Sequence, residues 1–345
     1  MEILSDRQKF ILSLVIHEFT KTAAPVGSKN LVEKYQLDFS SATVRNELSA
    51  LTEMGYLRQP HTSAGREPTE DGYRYFVGRL LRENELPESM RKMITHQFYQ
   101  SRHDVDQWMR LAASILANQS RAASLITAPH TETARFRHLE LISTHGNQVL
   151  MVLVLMGGEV HQRILTLDEP ISQEKLSTTT GWLSSLYHGM DAIAIRANSL
   201  EVQDFDLLVT QWVLAEMDQI DSLISGEIYL DGFTNVLAEP EFLHSGEARK
   251  ALKVLEERSL LQNLLTRVMP SDAVDGVQVL IGGEGTFDEL SECSVILAKY
   301  GSPGYVTGTL GILGPIRMYY GRSISTIRFV SNLLSEMVVE QLGES

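Results

Sequence analysis

From Ser5 onward, apolar residues return with a helical period, and Phe10, Ile11, Leu14, Val15 and Phe19 share one face. Ser5-Asp6-Arg7-Gln8 in front of them is a capping box: the Ser hydroxyl and the Gln side chain satisfy backbone N–H groups that a helix start leaves open. Ala24-Pro25-Val26-Gly27 breaks the pattern, Ser28 to Tyr35 predicts a short second helix, and Leu37-Asp38-Phe39 a tight link. A third helix begins with Ser40 or Ser41 as N-cap, carries Val44, Leu48 and Leu51 at i, i+4 and i+7, and stops at Gly55. Tyr56 to Gln59, the polar stretch Pro60 to Arg66 and Glu67-Pro68-Thr69 read as strand, loop and return strand. Thr69 then caps another helix with Glu70 and Asp71 in its first turn, where negative charge suits the helix dipole.

Residues 83–128 are mostly helical, with Trp108, Leu111, Ile115 and Leu116 at helical spacing, and read as a connector and packing helix. From His138 the period becomes two or continuous. Leu139 to Ser143, Val149 to Met156 and Val160 to Leu165, separated by polar and Gly-Gly turns, predict a β-meander. Helices are expected at 172–188, 203–225 and 245–267, and strands at Val277 to Ile281, Ser294 to Tyr300 and Tyr305 to Leu313. A last helix at 322–342 buries Ile327, Val330, Leu334, Met337 and Val338. Strands, a helical block and more strands imply one sheet interrupted by an insertion, in an α+β chain.

A length of 345 residues suggests two or three domains at roughly 150 residues each. The longest apolar run, Val149 to Met156, falls far short of the roughly 20 residues that span a bilayer, and Met1 to Arg7 lack an export signal. The expected location is therefore the cytoplasm, with no membrane partner. A single cysteine, Cys293, excludes an intramolecular disulfide and a Cys-based zinc site. The net charge of -14 argues at first against nucleic acid, but it is unevenly spread. Residues 1–82 hold eleven Lys/Arg against ten Asp/Glu, net +1, so residues 83–345 hold 19 against 34, net -15. DNA contact is thus confined to the head and placed by local Arg and Lys.

With Val44, Leu48 and Leu51 turned inward, the third helix presents Ala42, Arg45, Asn46, Ser49 and Glu53 on its other side. Any solvated helix face is polar, but these types also suit base edges: Arg donates twice to guanine, Asn pairs with adenine, Ser serves either, and an Ala methyl meets a thymine methyl. The hairpin favours the DNA reading, because His61, Thr62, Ser63 and Arg66 on a glycine-bearing loop fit a wing that grips phosphate or enters a minor groove. The candidate recognition residues are Ser40, Ser41, Ala42, Thr43, Arg45, Asn46 and Ser49. The candidate wing and backbone contacts are Lys29, His61, Thr62, Ser63 and Arg66.

Pro25-Val26-Gly27-Ser28-Lys29, Ser40 to Glu47, Gly55-Tyr56-Leu57, Pro60 to Arg66, Pro68 and Gly72-Tyr73-Arg74 together resemble the N-terminal winged helix of the HrcA heat-inducible transcription repressors. Gly232-Phe233-Thr234-Asn235-Val236-Leu237 and Gly311 to Tyr320 resemble that family's C-terminal landmarks, so the resemblance spans nearly the whole chain. It implies a winged helix at 1–82, a helical connector at 83–137, a GAF-like domain formed by 138–167 and 275–345, and an inserted dimerisation domain at 168–274. It further implies repression of chaperone operons of the groE and dnaK type through an inverted-repeat operator, relief on heat stress, and activity maintained by the GroE chaperonin. An inverted repeat calls for a two-fold homodimer, each head taking one half-site.

The enzyme signals are weak. Gly282-Gly283-Glu284-Gly285 lacks the third glycine of a dinucleotide fingerprint and reads as a polar turn. Ser172-Gln173-Glu174-Lys175 has acyl-enzyme spacing but no companion motifs, and His130, His138, His145 and His161 lack ligand spacing. No catalytic set, metal or cofactor is expected. The alternative to the chaperone repressor is a winged-helix regulator of other genes, with a small-molecule effector between 138–167 and 275–320. The dense apolar run Leu150 to Met156 reads better as a filled core. The Gly-Pro-Ile-Arg-Met segment has no derived role, and Arg317 is expected as a surface residue at a strand-end turn.

Overall fold

The computed structural model describes residues 4–81, 85–100, 104–130, 134–156, 158–199, 202–222, 227–242, 247–268, 276–285, 287–302 and 306–342. It is α+β with antiparallel sheets. The head starts with α1 (Asp6–Thr22), whose capping box forms both bonds, Gln8 N to Ser5 Oγ at 3.2 Å and Ser5 N to Gln8 Oε1 at 2.9 Å. Its buried stripe is Ile11, Leu12, Val15 and Ile16, and Phe10 stays 47% exposed. The expected face was thus rotated: Leu12 and Ile16 form a second i, i+4 pair beside Ile11 and Val15, and the two pairs together outcompete Phe10. After α1 come α2 (Ser28–Tyr35), α3 (Ser41–Glu53), the hairpin strands β1 (Leu57–Arg58) and β2 (Glu67–Pro68), and α4 (Glu70–Tyr75), which a wider turn extends to Leu80.

α5 (Glu88–Gln100) and α6 (Val105–Ser120) follow, with residues 101–103 of the expected helical stretch outside the described residues. Then come β3 (Ala123–Thr127), the meander β4 (Phe136–Ser143), β5 (Gln148–Leu155) and β6 (Val160–Thr166), and α7 (Gln173–Tyr187), α8 (Ala192–Asn198) and α9 (Asp204–Ser222). The chain continues through β7 (Ile228–Asp231), α10 (Phe233–Leu237), α11 (Glu247–Glu256), α12 (Arg258–Val268), β8 (Gln278–Ile281), β9 (Cys293–Ser302), β10 (Val306–Pro315) and α13 (Tyr320–Leu342). Among the described residues, no helix is long and apolar enough to cross a membrane.

The chain divides into two units. The first combines Met1–Thr127, Ile228–Tyr300 and Thr309–Met337, and its five-stranded sheet has the order β7-β3-β10-β9-β8. β3 is an interior strand, with Leu125 opposite Leu230 on one side and Gly311 on the other. Leu125, Ile126, Val295, Leu297, Leu310 and Ile312 are fully buried, as are Trp108 and Leu116 of α6 and Ile327, Val330 and Leu334 of α13. These strands are filled core, stabilised by roughly 25 cal/mol for each Å² of apolar surface withdrawn from water. Asn235 closes one edge, its amide donating to the Ala117 and Ala122 carbonyls at 3.2 and 3.3 Å, which accounts for one of the C-terminal landmarks.

The second unit, Ala128–Glu227 with Gly301–Gly308 and Val338–Ser345, holds the sheet β4-β5-β6. Leu139, Leu141, Met151 and Leu153 on its inner face are buried with Leu176, Leu183 and Tyr187 of α7 and Val209, Val213 and Met217 of α9.

Three expectations fail here. The meander at 138–167 does not share a sheet with the strands of 275–345; it pairs within itself, and the larger sheet instead recruits β3 and β7. The expected connector therefore contains an interior strand of the larger sheet, and β7 through α12, expected in the 168–274 insertion, lie in the first unit. The cause is physical: a period of two identifies a strand but not its partner, and β3, buried at all five positions, shows no alternation at all. The third failure concerns Arg317, which is buried between Glu239 and Glu241 rather than exposed.

Candidate nucleic-acid interface

The geometry of α3 begins with its cap. The Ser40 hydroxyl accepts the Thr43 N–H at 3.1 Å and lies 2.9 Å from Thr43 Oγ1, so these two candidates close the helix start on themselves. Val44, Leu48 and Leu51 are buried, while Ser41, Ala42, Arg45 and Asn46 stand exposed and Ser49 is half-buried. Arg45 has no ion pair among the described residues. Glu47, by contrast, is met by Arg7 at 3.4 Å, and the Arg7 guanidinium also sits 5.1 Å from the centre of the Phe39 ring. α1 and α4 carry acids in their first turns, but α2 and α3 carry none. The positive dipole ends of α2 and α3 are therefore open to an anion such as a phosphate.

The hairpin pairs Leu57 with Pro68 and Arg58 with Glu67, and Arg58 Nε reaches Glu67 Oε1 at 2.5 Å. Its loop is closed by the Ala64 N–H donating to the His61 carbonyl at 2.8 Å and by the Gln59 amide donating to the Thr62 and Ala64 carbonyls at 2.9 and 3.0 Å. With the backbone held this way, the His61, Thr62 and Ser63 side chains stand exposed at the tip. Arg66 is at the base. Its N–H and C=O each bond Val26 at 2.8 Å, and its Nε donates to Thr52 Oγ1 on the last turn of α3 at 3.0 Å. The close approach requires Gly65, where a Cβ would lie 2.4 Å from the Val26 carbonyl carbon. The loop is thus locked both to the α1–α2 link and to α3.

Lys29 lies on α2, 84% exposed and 3.8 Å from Glu33. The N-cap of α2 is Gly27, so Ser28 provides no cap. Beneath these surfaces Glu18 is buried, with Lys34 Nζ at 2.6 Å and the Tyr35 hydroxyl donating at 3.1 Å. The Lys34 ammonium holds the Glu18 carboxyl below the usual range in spite of burial, and burial together with Glu18 pushes the Tyr35 phenol up to about 12. This cluster fixes α1 against α2. The structure therefore gathers Ser41, Ala42, Arg45 and Asn46 on one exposed face, sets His61, Thr62 and Ser63 on a stapled tip, and leaves Lys29 on a separate helix. Sequence reasoning missed Arg7, Thr52, Arg58 and Gln59. Only the cross-strand pair Arg58–Glu67 had a visible signal, in opposite charges flanking the loop.

The sequence profile of the HrcA protein C-terminal domain matches residues 106–324. The heat-inducible transcription repressor HrcA of Roseiflexus castenholzii (strain DSM 13941 / HLO8) is 42% identical over 350 residues, covering 99% of this chain and 96% of its own. The protein of the same description from Thermomicrobium roseum (strain ATCC 27502 / DSM 5159 / P-2) is 40% identical over 340 residues, covering 99% and 97%. A crystal structure of a hypothetical protein superposes with a TM-score of 0.62 at 23% identity, over 98% of this chain and 99% of that one, which shows a shared fold.

Proposed function

The chain belongs to the HrcA family of heat-inducible transcription repressors, and from that premise we propose that it represses heat-shock chaperone operons of the groE and dnaK type by binding an inverted-repeat operator as a cytoplasmic homodimer. The observation that carries this reading is the exposed α3 face. Arg45 is uncommitted to any acid among the described residues, Asn46 stands beside it, and the amino end of the helix is free of acid. Residues up to 81 act as a winged helix, in which α3 enters the major groove and the stapled tip reaches backbone or minor groove. Arg45 donates to a guanine edge, Asn46 addresses an adenine, Ser41 and Ala42 take the neighbouring base, and Ser49 lies further along the helix. Lys29, His61, Thr62 and Ser63 hold backbone phosphate, while Arg66 sets the hairpin on α3 and turns its remaining N–H groups to phosphate. Ser40 and Thr43 shape the helix start.

The five-stranded sheet serves as the GAF-like body and the Ala128–Glu227 unit as the dimerising part. The role is a regulatory one, as for the relatives, which are transcription repressors. Heat relieves repression, and the GroE chaperonin restores the active dimer. The test is transcription in vitro from a chaperone promoter with DNase footprinting alongside. The expected result is a two-fold symmetric footprint whose appearance coincides with repression, and whose loss after a heat pulse is reversed by chaperonin. An intact footprint and full repression after the pulse, without chaperonin, would contradict the heat switch.

A further inference from the structure

Within the first unit the head is fastened to the sheet layer at three points. Arg317, just past β10, is only 9% exposed; its Nε and Nη2 reach Glu241 and Glu239, with a second contact to Glu241 at 3.0 Å, and its Nη1 donates to the Thr20 carbonyl of α1 at 3.1 Å. That carbonyl belongs to the last turn of α1, where helix carbonyls lack intrahelical partners. Arg74 of α4 bonds Glu70 and Asp71 at 2.8 Å each, donates to the Ile281 carbonyl at 3.1 Å, and lies 3.8 Å from Glu284. The turn after β8 makes room for this contact: Gly282, Gly283 and Glu284 are all left-handed, and a Cβ on Gly282 would stand 2.3 Å from the Glu70 carboxyl carbon. Finally the Tyr73 and Tyr320 rings, both buried, lie 5.9 Å apart.

A head on a flexible tether has no use for a buried guanidinium shared by two carboxylates, and removing one partner there strands the others. We propose that Arg317 and Arg74 are positioning residues for operator binding: they fix the head on the sheet and so remove the head's own freedom from the spacing at which a dimer offers its two α3 helices, which makes half-site spacing part of the specificity. The proposal rests on the operator reading above. One inserted base pair moves a half-site by about 3.4 Å and rotates it by about 34° around the duplex axis, a shift that a fastened head cannot follow by moving on the sheet and a tethered one can.

The experiment has one arm without DNA and one with it. Cys293 is buried, so a fluorophore goes on Glu33→Cys, and anisotropy decay reports whether the head tumbles with the particle. The native chain should show no independent head motion; Arg74→Gln, Arg317→Gln and the double variant should add a fast component. Arg317→Lys, which keeps a charge but cannot span both carboxylates and Thr20, should fall between. Arg74 is partly exposed, so its variant remains informative should Arg317→Gln misfold. With DNA, single half-site affinity should stay within about twofold in the variants. Preference for the best spacer over one changed by three base pairs should fall from at least about tenfold to under about threefold. Independent head motion in the native chain, or an unchanged spacer preference in a loosened variant, would overturn the proposal. Absent half-site binding by a native chain with a fastened head would instead overturn the operator reading, and the operator role of the latch with it.

Discussion

Replacing Gly65 with alanine should unfasten the hairpin while leaving the helices in place. The new Cβ would lie 2.4 to 2.7 Å from the carbonyl carbon, oxygen and nitrogen of Val26, which are backbone atoms and cannot swing aside. One strand must retreat, losing the two 2.8 Å bonds between Val26 and Arg66 and the 3.0 Å bond from Arg66 to Thr52. At about 1 kcal/mol net each, that is about 3 kcal/mol. The smaller unfolded-state entropy of alanine offsets up to about 1 kcal/mol, leaving a loss of about 2 kcal/mol. Local opening of the hairpin should therefore become roughly thirtyfold more frequent. Amide hydrogen exchange reads this directly: the Val26 and Arg66 N–H groups should lose about that factor of protection, while amides in the middle of α1 change little. Unchanged protection at both amides would refute the claim that Gly65 is needed for close approach.

Arg45→Ala should cost about 1–3 kcal/mol at one base position and relax preference there, whereas Arg66→Ala should weaken binding to all duplexes and lower the salt dependence; competition against single-base variants at two salt concentrations separates the two. Equal losses of base preference would contradict the assigned roles. Glu18 contributes stability that is fully present above its ordinary pKa of 4.5 and is lost as pH falls below that through its lowered folded value. Acid unfolding followed by tyrosine fluorescence should accordingly show Glu18→Gln less stable at neutral pH and flatter on the acid side. Asn235→Ala leaves the Ala117 and Ala122 carbonyls without their amide donor and should lower stability by about 1–3 kcal/mol, measured by urea denaturation.

The head was the most legible part of the chain because its local rules agree with one another. A capping box at Ser5, a Ser40 cap, a Thr69 cap with acids behind it and a glycine-bearing loop each act within a few residues, and all formed as expected. The candidate face of α3 was legible for the same reason, since Val44, Leu48 and Leu51 fix which way it turns. Contacts between distant segments were not. Val26 opposite Arg66, Thr52 under Arg66, and Arg317 on Thr20 join segments whose proximity no periodicity announces. The make-up of the sheet is hidden for a related reason: β3 is buried throughout and carries no face signal, and β7 has only four residues between breaks in the helical pattern.

The central claim is that α3 reads sequence. Fluorescence anisotropy with an inverted repeat from a chaperone promoter and with a scrambled duplex, each at two salt concentrations, tests it most directly. The account predicts at least about a thousandfold preference for the repeat that persists at the higher salt, and a smaller preference for Arg45→Ala. Equal binding of both duplexes by the native chain in the presence of chaperonin, falling by the same factor with salt, would contradict it.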